Sequence, residues 1–123
     1  MKNKFNYVDG FVLPIPKKNL AKYKKMAKLA CKVWTEHGAI DYLECIADDV
    51  KPGKLTSFPK SVKLKKNEVV FFSWITYKSR SHRDLVLKKV FADPRLKSMM
   101  DPKNMFFDGK RMIYGGFKPL VKY

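Results

Sequence analysis

Apolar side chains fill both alternating rows of residues 69–77, VVFFSWITY: Val69, Phe71, Ser73, Ile75 and Tyr77 on one side, Val70, Phe72, Trp74 and Thr76 on the other. Aromatic and β-branched residues at this density predict a strand. Residues 6–15, NYVDGFVLPI, predict another, with Tyr7, Phe11 and Leu13 on one face and Val8 and Val12 on the other. Pro14 and Pro16 should carry the chain out of the sheet, because proline cannot donate to a ladder. Leu20, Tyr23, Ala27, Ala30, Trp34 and His37 then recur at three- and four-residue spacing, with Met26 and Val33 at the edge of the stripe. That period predicts an amphipathic helix, with Asn19 as its N-cap and Gly38 just past its end. Lys22, Lys24, Lys25, Lys28 and Lys32 occupy its other side.

Residues 40–47, IDYLECIA, predict a second strand, and residues 50–68 a long connection with a short turn at 56–62. A second helix is expected from Ser81, with Asp84 three places on completing a capping box, and it stops before Pro94. A helical turn at 95–100 and a last strand over 111–118, RMIYGGFK, complete the chain. The resulting order is βαββαβ. It predicts an α+β, ferredoxin-like single domain: a four-stranded antiparallel sheet with two helices on one face.

Such a sheet should be polar on its open face, and these strands are not. Two apolar faces need two covers, and the helices supply one. A second copy packed sheet to sheet is the expected second cover, making the protein a homodimer. The alternative is that the 50–68 connection folds over the sheet.

The chain has 123 residues, of which 46% are hydrophobic, so a packed core is expected and disorder is not. No run reaches the ~18 apolar residues of a membrane span. The N-terminal apolar stretch is broken by Asp9, Gly10, Pro14 and Pro16, unlike a secretory signal, which points to a cytoplasmic protein. Cys31 and Cys45 have no metal-ligand or disulfide pattern. The formal charge of +16 invites a nucleic-acid partner, yet only Arg80, Arg83, Arg95 and Arg111 among the 27 basic residues are arginine, the residue that reads bases and phosphates bidentately. Specific nucleic-acid recognition is therefore not the leading expectation.

The segments YVDGFVLPIPKKNL, DYLECIADDVKPGK, FSWI-x-YKSRSHRD, MMDP and FDGKRMIYGGF resemble the YbaA-like family of bacterial proteins over nearly the whole length. A phenylalanine pair, Phe106-Phe107, departs from the proline-phenylalanine expected there. The resemblance implies the dimeric α+β barrel fold, two ferredoxin-like subunits joined through their sheets. It implies no activity, because the family is a domain of unknown function.

Asp9 and Glu44 are carboxylates inside apolar strands, where each needs a partner or a task. Arg111, at the start of the last strand, could pair with either. The two readings are a buried ion pair that fixes register, or a ligand-facing general base. Trp74 and Tyr114 are candidate walls of the same pocket. Arg80, His82 and Arg83, at the start of the second helix, could attract an anion. No cofactor or metal motif is present. The expectation is a small homodimeric protein that binds an anionic or aromatic metabolite, with proton-transfer or cofactor-free oxygen chemistry open to it. The alternative is a non-enzymatic protein whose lysine-rich helix contacts RNA, DNA or an acidic partner.

Overall fold

A computed structural model describes residues 5–122. Four strands form one antiparallel sheet: β1 (Tyr7–Pro16), β2 (Asp41–Ile46), β3 (Glu68–Tyr77) and β4 (Ile113–Phe117), in the order β2-β3-β1-β4. The helices are α1 (Leu20–Glu36), the single turn α2 (Phe58–Ser61), α3 (Arg80–Phe91) and α4 (Pro94–Met99). This is the expected ferredoxin-like α+β fold, with α1, α3 and α4 on one face of the sheet.

The registers assign the faces. Asp9 lies opposite Ile75, Phe11 opposite Ser73 and Leu13 opposite Phe71. Tyr42, Glu44 and Ile46 of β2 join the same row by facing Ile75, Ser73 and Phe71. Of this row, Phe11, Leu13, Tyr42, Phe71 and Ile75 pack with the buried stripe of α1, Tyr23, Ala27, Ala30 and Val33. Directly opposed side chains share a face, so alternation along each strand sorts residues between the two covers.

Several local expectations are corrected. β1 runs through both prolines, which stay in register as Pro14 opposite Val70 and Pro16 opposite Glu68. The pairing with β4 spans only Val8 to Val12, so beyond Val12 the strand has one neighbour and tolerates residues without an N–H. Asn19 precedes α1 but does not cap it; its Nδ2 donates instead to the Phe106 carbonyl at 2.9 Å. Ser79, not Ser81, caps α3 by accepting the His82 N–H at 3.1 Å. Asp84 accepts from Arg83 Nε rather than closing a capping box. Arg111 sits in a 3-10 turn, Gly109–Arg111, before β4 begins at Ile113. Gly38 does follow α1 with φ 117°, the left-handed conformation that ends it.

The far face of the sheet is covered at one end only. Val62, just past α2, is 1% exposed and packs on Val12 and Val70. Phe58 of α2 stands edge-on to Phe72, ring centres 5.7 Å apart. The 50–68 connection thus shelters part of this face. Leu43, Phe72, Ile113 and Phe117 remain exposed on the rest, around the half-buried Trp74.

Candidate functional site

Strand parity turns Tyr42 and Glu44 of β2 and Ser73 of β3 toward α1, and the helical period of α1 brings Tyr23 down to meet them. Glu44 Oε1 accepts from the Tyr23 hydroxyl at 2.5 Å and from Ser73 Oγ at 3.1 Å. Glu44 Oε2 accepts from the Tyr42 hydroxyl at 2.8 Å. Three donors and no competing acceptor suit an ionised carboxylate. Burial, and then the Glu44 charge, push the Tyr23 and Tyr42 phenols far above the usual tyrosine range. Both rings therefore stay protonated as donors.

This carboxylate lies on the wall of a cavity of about 350 Å³ between the sheet and α1. Beyond Glu44 and the hydroxyls that bind it the wall is mostly apolar, and every methionine after Met1 contributes to it: Met26, Met99, Met100, Met105 and Met112. Most of these come from the segment joining α4 to β4, which closes the cavity as a flap. Arginines clamp both ends of the flap. Arg95 binds Asp93 and reaches Glu36 on α1 at 2.9 Å, and Asp93 also takes His37 at 2.9 Å. Arg111 makes a two-pronged pair with Glu68, 2.6 and 2.7 Å, and a third bond to Asp108. Between the clamps, the Asn19–Phe106 bond ties the flap to the start of α1.

A second buried polar group stands apart from Glu44. Asp9, 6% exposed, pairs with Arg83 Nη1 at 2.6 Å, and Arg83 lies 5.0 Å over the Tyr7 ring. Burial raises the Asp9 carboxyl above its ordinary range, with Arg83 opposing the rise. The Tyr77 hydroxyl lies beside Asp9, and the Trp34 indole nitrogen beside Tyr77. Neither of those two atoms reaches strict hydrogen-bond geometry with any described residue.

The expected constellation is therefore divided. Asp9 and Glu44 both face the helices but have different partners, and Arg111 pairs with neither. Its true partner, Glu68, is the first residue of β3, and the turn before β4 brings Arg111 alongside it. Trp74 and Tyr114 do not form one wall: Trp74 is on the far face, while Tyr114 lies opposite Phe11 on the helix side and is exposed at the edge. Arg80, His82 and Arg83 do not converge either. Arg83 turns inward to Asp9, and His82 Nδ1 accepts the Lys78 N–H at 3.0 Å. Burial, helped by Lys78 and Lys89, holds His82 below the usual histidine range and so neutral. Tyr23, Tyr42 and Ser73 were not anticipated as site residues. The signal was present in the matching parity of Tyr42 and Glu44 and in the place of Tyr23 on the helix stripe. Among the described residues no cluster of three or more His, Cys, Asp or Glu could hold a metal ion, and no helix is long and apolar enough to cross a membrane.

Fold and site together define a ferredoxin-like α+β protein with an apolar cavity and one hydroxyl-ringed carboxylate between its sheet and helices. The chain belongs to the family described as "Protein of unknown function (DUF1428)", whose model matches residues 6–109. It is 46% identical over 115 residues to the "Uncharacterized protein YbaA" of Escherichia coli K12, covering 94% of this chain and 97% of that protein. The Shigella flexneri protein of the same description matches to the same extent. A crystal structure of a nipsnap family protein with unknown function from Agrobacterium tumefaciens superposes with a TM-score of 0.56 at 13% identity, over 96% of this chain and 91% of that one. That likeness concerns the fold.

Proposed function

We propose that this protein is a homodimeric, cytoplasmic binder of a small, largely apolar or aromatic molecule, held in the cavity between the sheet and α1. The observation that carries the reading is Glu44: an apolar enclosure of about 350 Å³ with one charged group, satisfied by three hydroxyls and still on the wall, has the form of a ligand site. Glu44 orients the ligand and is the group best placed to take a proton from it, so any catalysis would be proton transfer or cofactor-free oxygen chemistry with Glu44 as base. The methionine flap gives the enclosure an adaptable shape.

Methionine methyl NMR tests this directly, because all methionines after Met1 line the cavity. Titration with 2-phenylethanol should shift those signals. Unshifted signals with this alcohol and with its ammonium and carboxylate counterparts, all at millimolar concentration, would overturn the reading. The dimer reading rests on the far face, where Leu43, Phe72, Ile113 and Phe117 are exposed together and continue a sheet already covered at one end. Native mass spectrometry should return twice the 14.4 kDa chain mass; a monomer at micromolar concentration would remove the dimer.

A second reading, RNA or DNA binding, is favoured by how the charges are divided. Among the described residues Arg83, Arg95 and Arg111 pair with acids, whereas Lys51 is the one lysine in an ion pair. Lys22, Lys24, Lys25, Lys28 and Lys32 are exposed along α1. Anisotropy with labelled RNA and DNA at two salt concentrations tests it, since binding through lysines must weaken steeply with salt. No binding at low salt ends this reading.

A further inference from the structure

The Glu44 cavity holds a charge without a counter-charge. Although 27 of the 123 residues are basic, none of the side chains lining the cavity is Lys, Arg or His. Among the described residues Glu44 forms no ion pair, and its partners are three neutral hydroxyls. Hydroxyl donors spread the carboxylate charge but do not cancel it. A carboxylate has about four acceptor positions. Two are taken on Oε1 and one on Oε2, which leaves a position on Oε2 for a donor from a ligand.

The walls make the same demand. Phe11, Trp34, Tyr42 and Phe107 stand around the cavity with Tyr23, and aromatic faces attract cations more strongly where water is excluded. Methionine thioethers are soft and polarizable and conform to varied apolar shapes. An anionic ligand would find repulsion from Glu44 and no cationic partner. A neutral apolar ligand would fill the space and leave the free Oε2 position unmet.

We infer that the cavity takes a lipophilic organic cation, an aromatic or aliphatic body bearing one protonated amine that donates to Glu44 Oε2. This inference rests on the small-molecule reading above and narrows it to a chemical class. The Met-rich flap then makes the site tolerant of the body's shape and selective for its charge.

Three probes with one body separate the possibilities: 2-phenylethylammonium, 2-phenylethanol and phenylacetate, each titrated at pH 7 and read by methionine methyl shifts. The ammonium should bind about tenfold or more tightly than the alcohol, with phenylacetate weakest, since a hydrogen bond to a charged partner discriminates by roughly 10- to 100-fold. In Glu44→Gln the ammonium should fall to the level of the alcohol, while alcohol binding changes less than about threefold. Tyr42→Phe leaves the carboxylate in place and should keep the preference for the cation, so the inference stays testable if Glu44→Gln does not fold. Alcohol binding equal to or tighter than ammonium binding in the unmodified protein overturns the cation inference and leaves the pocket standing. Failure of all three probes overturns the pocket and the inference together.

Discussion

Replacing Tyr23 by phenylalanine isolates one bond of the Glu44 cage. Tyr23 is 4% exposed, and its ring stands edge-on to Phe71 at 5.1 Å and to Phe107 at 5.7 Å. Phenylalanine preserves both aromatic contacts and removes only the hydroxyl that donates to Glu44 Oε1 at 2.5 Å. Hydrogen bonds to charged groups contribute about 1.5–3 kcal/mol. Two features place the expected loss near the lower end: Ser73 still donates to the same oxygen at 3.1 Å, and the half-buried Glu44 can recruit water. We therefore expect Tyr23→Phe to destabilise by about 1.5 kcal/mol, and Ser73→Ala, which removes the longer bond of the pair, by no more than about 1 kcal/mol. Urea unfolding followed by circular dichroism measures both. It must be run at one protein concentration, because a dimer's apparent stability depends on it. The slope m should be unchanged, since no surface is newly exposed. The double variant Tyr23→Phe, Glu44→Gln should lose less than the sum of the single losses, by about 1 kcal/mol, if the two groups act as a pair. A Tyr23→Phe protein within about 0.5 kcal/mol of the parent, the ordinary range of a neutral substitution, would refute the reasoning that this hydroxyl contributes a charge-assisted hydrogen bond to Glu44.

The remaining predictions concern packing, pH and assembly. Gly116→Ala should destabilise by about 1–3 kcal/mol, because its methyl would meet the Tyr7 hydroxyl and lie 2.8 Å from the ring carbons Cε2 and Cζ. Gly115→Ala, 3.5 Å from the Phe117 ring, serves as the tolerated control in the same thermal melts. Hydrogen bonds from Arg111 hold Glu68 below the usual carboxylate range, and bonds from Arg95 and then His37 do the same for Asp93. Their stabilisation is complete above the unfolded carboxylate range, about pH 4, and is lost as pH falls below it. Urea midpoints should therefore drop between pH 5 and pH 3, and Glu68→Gln should flatten that drop; an identical slope in the variant would exclude the Arg111 clamp as a source. Asp9, raised by burial, acts in the opposite sense and softens the acid limb. Leu43→Glu with Phe117→Glu places charges on the exposed far face and should convert a dimer to the 14.4 kDa monomer in light scattering. A dimer mass that persists in the variant would show that another surface joins the copies.

Strand alternation and helical period are local properties, and they were legible: both rows of VVFFSWITY and the stripe of α1 sort to the faces that their spacing predicts. Pairings that depend on tertiary approach were not. Arg83 reaches Asp9 from 74 positions away, and Arg111 reaches Glu68 from 43, so neither partner could be chosen from spacing. Ser79 and Ser81 offered the same capping chemistry two residues apart, and the extended backbone at Ser79 decided between them. The flap over the cavity was read only as a short helical turn. Its methionines follow no period, because they converge from α1, α4 and two turns rather than from one face of one element.

The excess positive charge and the lone cavity carboxylate belong to different length scales. Lysines on the exposed side of α1 act through water, where at physiological salt their field decays within about 8 Å. Glu44 acts across a single contact inside an apolar wall, where screening is weak. An approaching organic cation meets the diffuse repulsion first and the local attraction last. Added salt weakens the former and leaves the latter nearly intact, so ammonium binding should hold or tighten slightly as salt rises from 50 to 200 mM. A polyanion bound through the lysine surface must behave in the opposite way, losing affinity steeply as its condensed counterions return. The sign of the salt dependence thus assigns any ligand found for this protein to the cavity or to the surface of α1. A cation whose affinity fell with salt as steeply as a nucleic acid's would be bound somewhere other than Glu44.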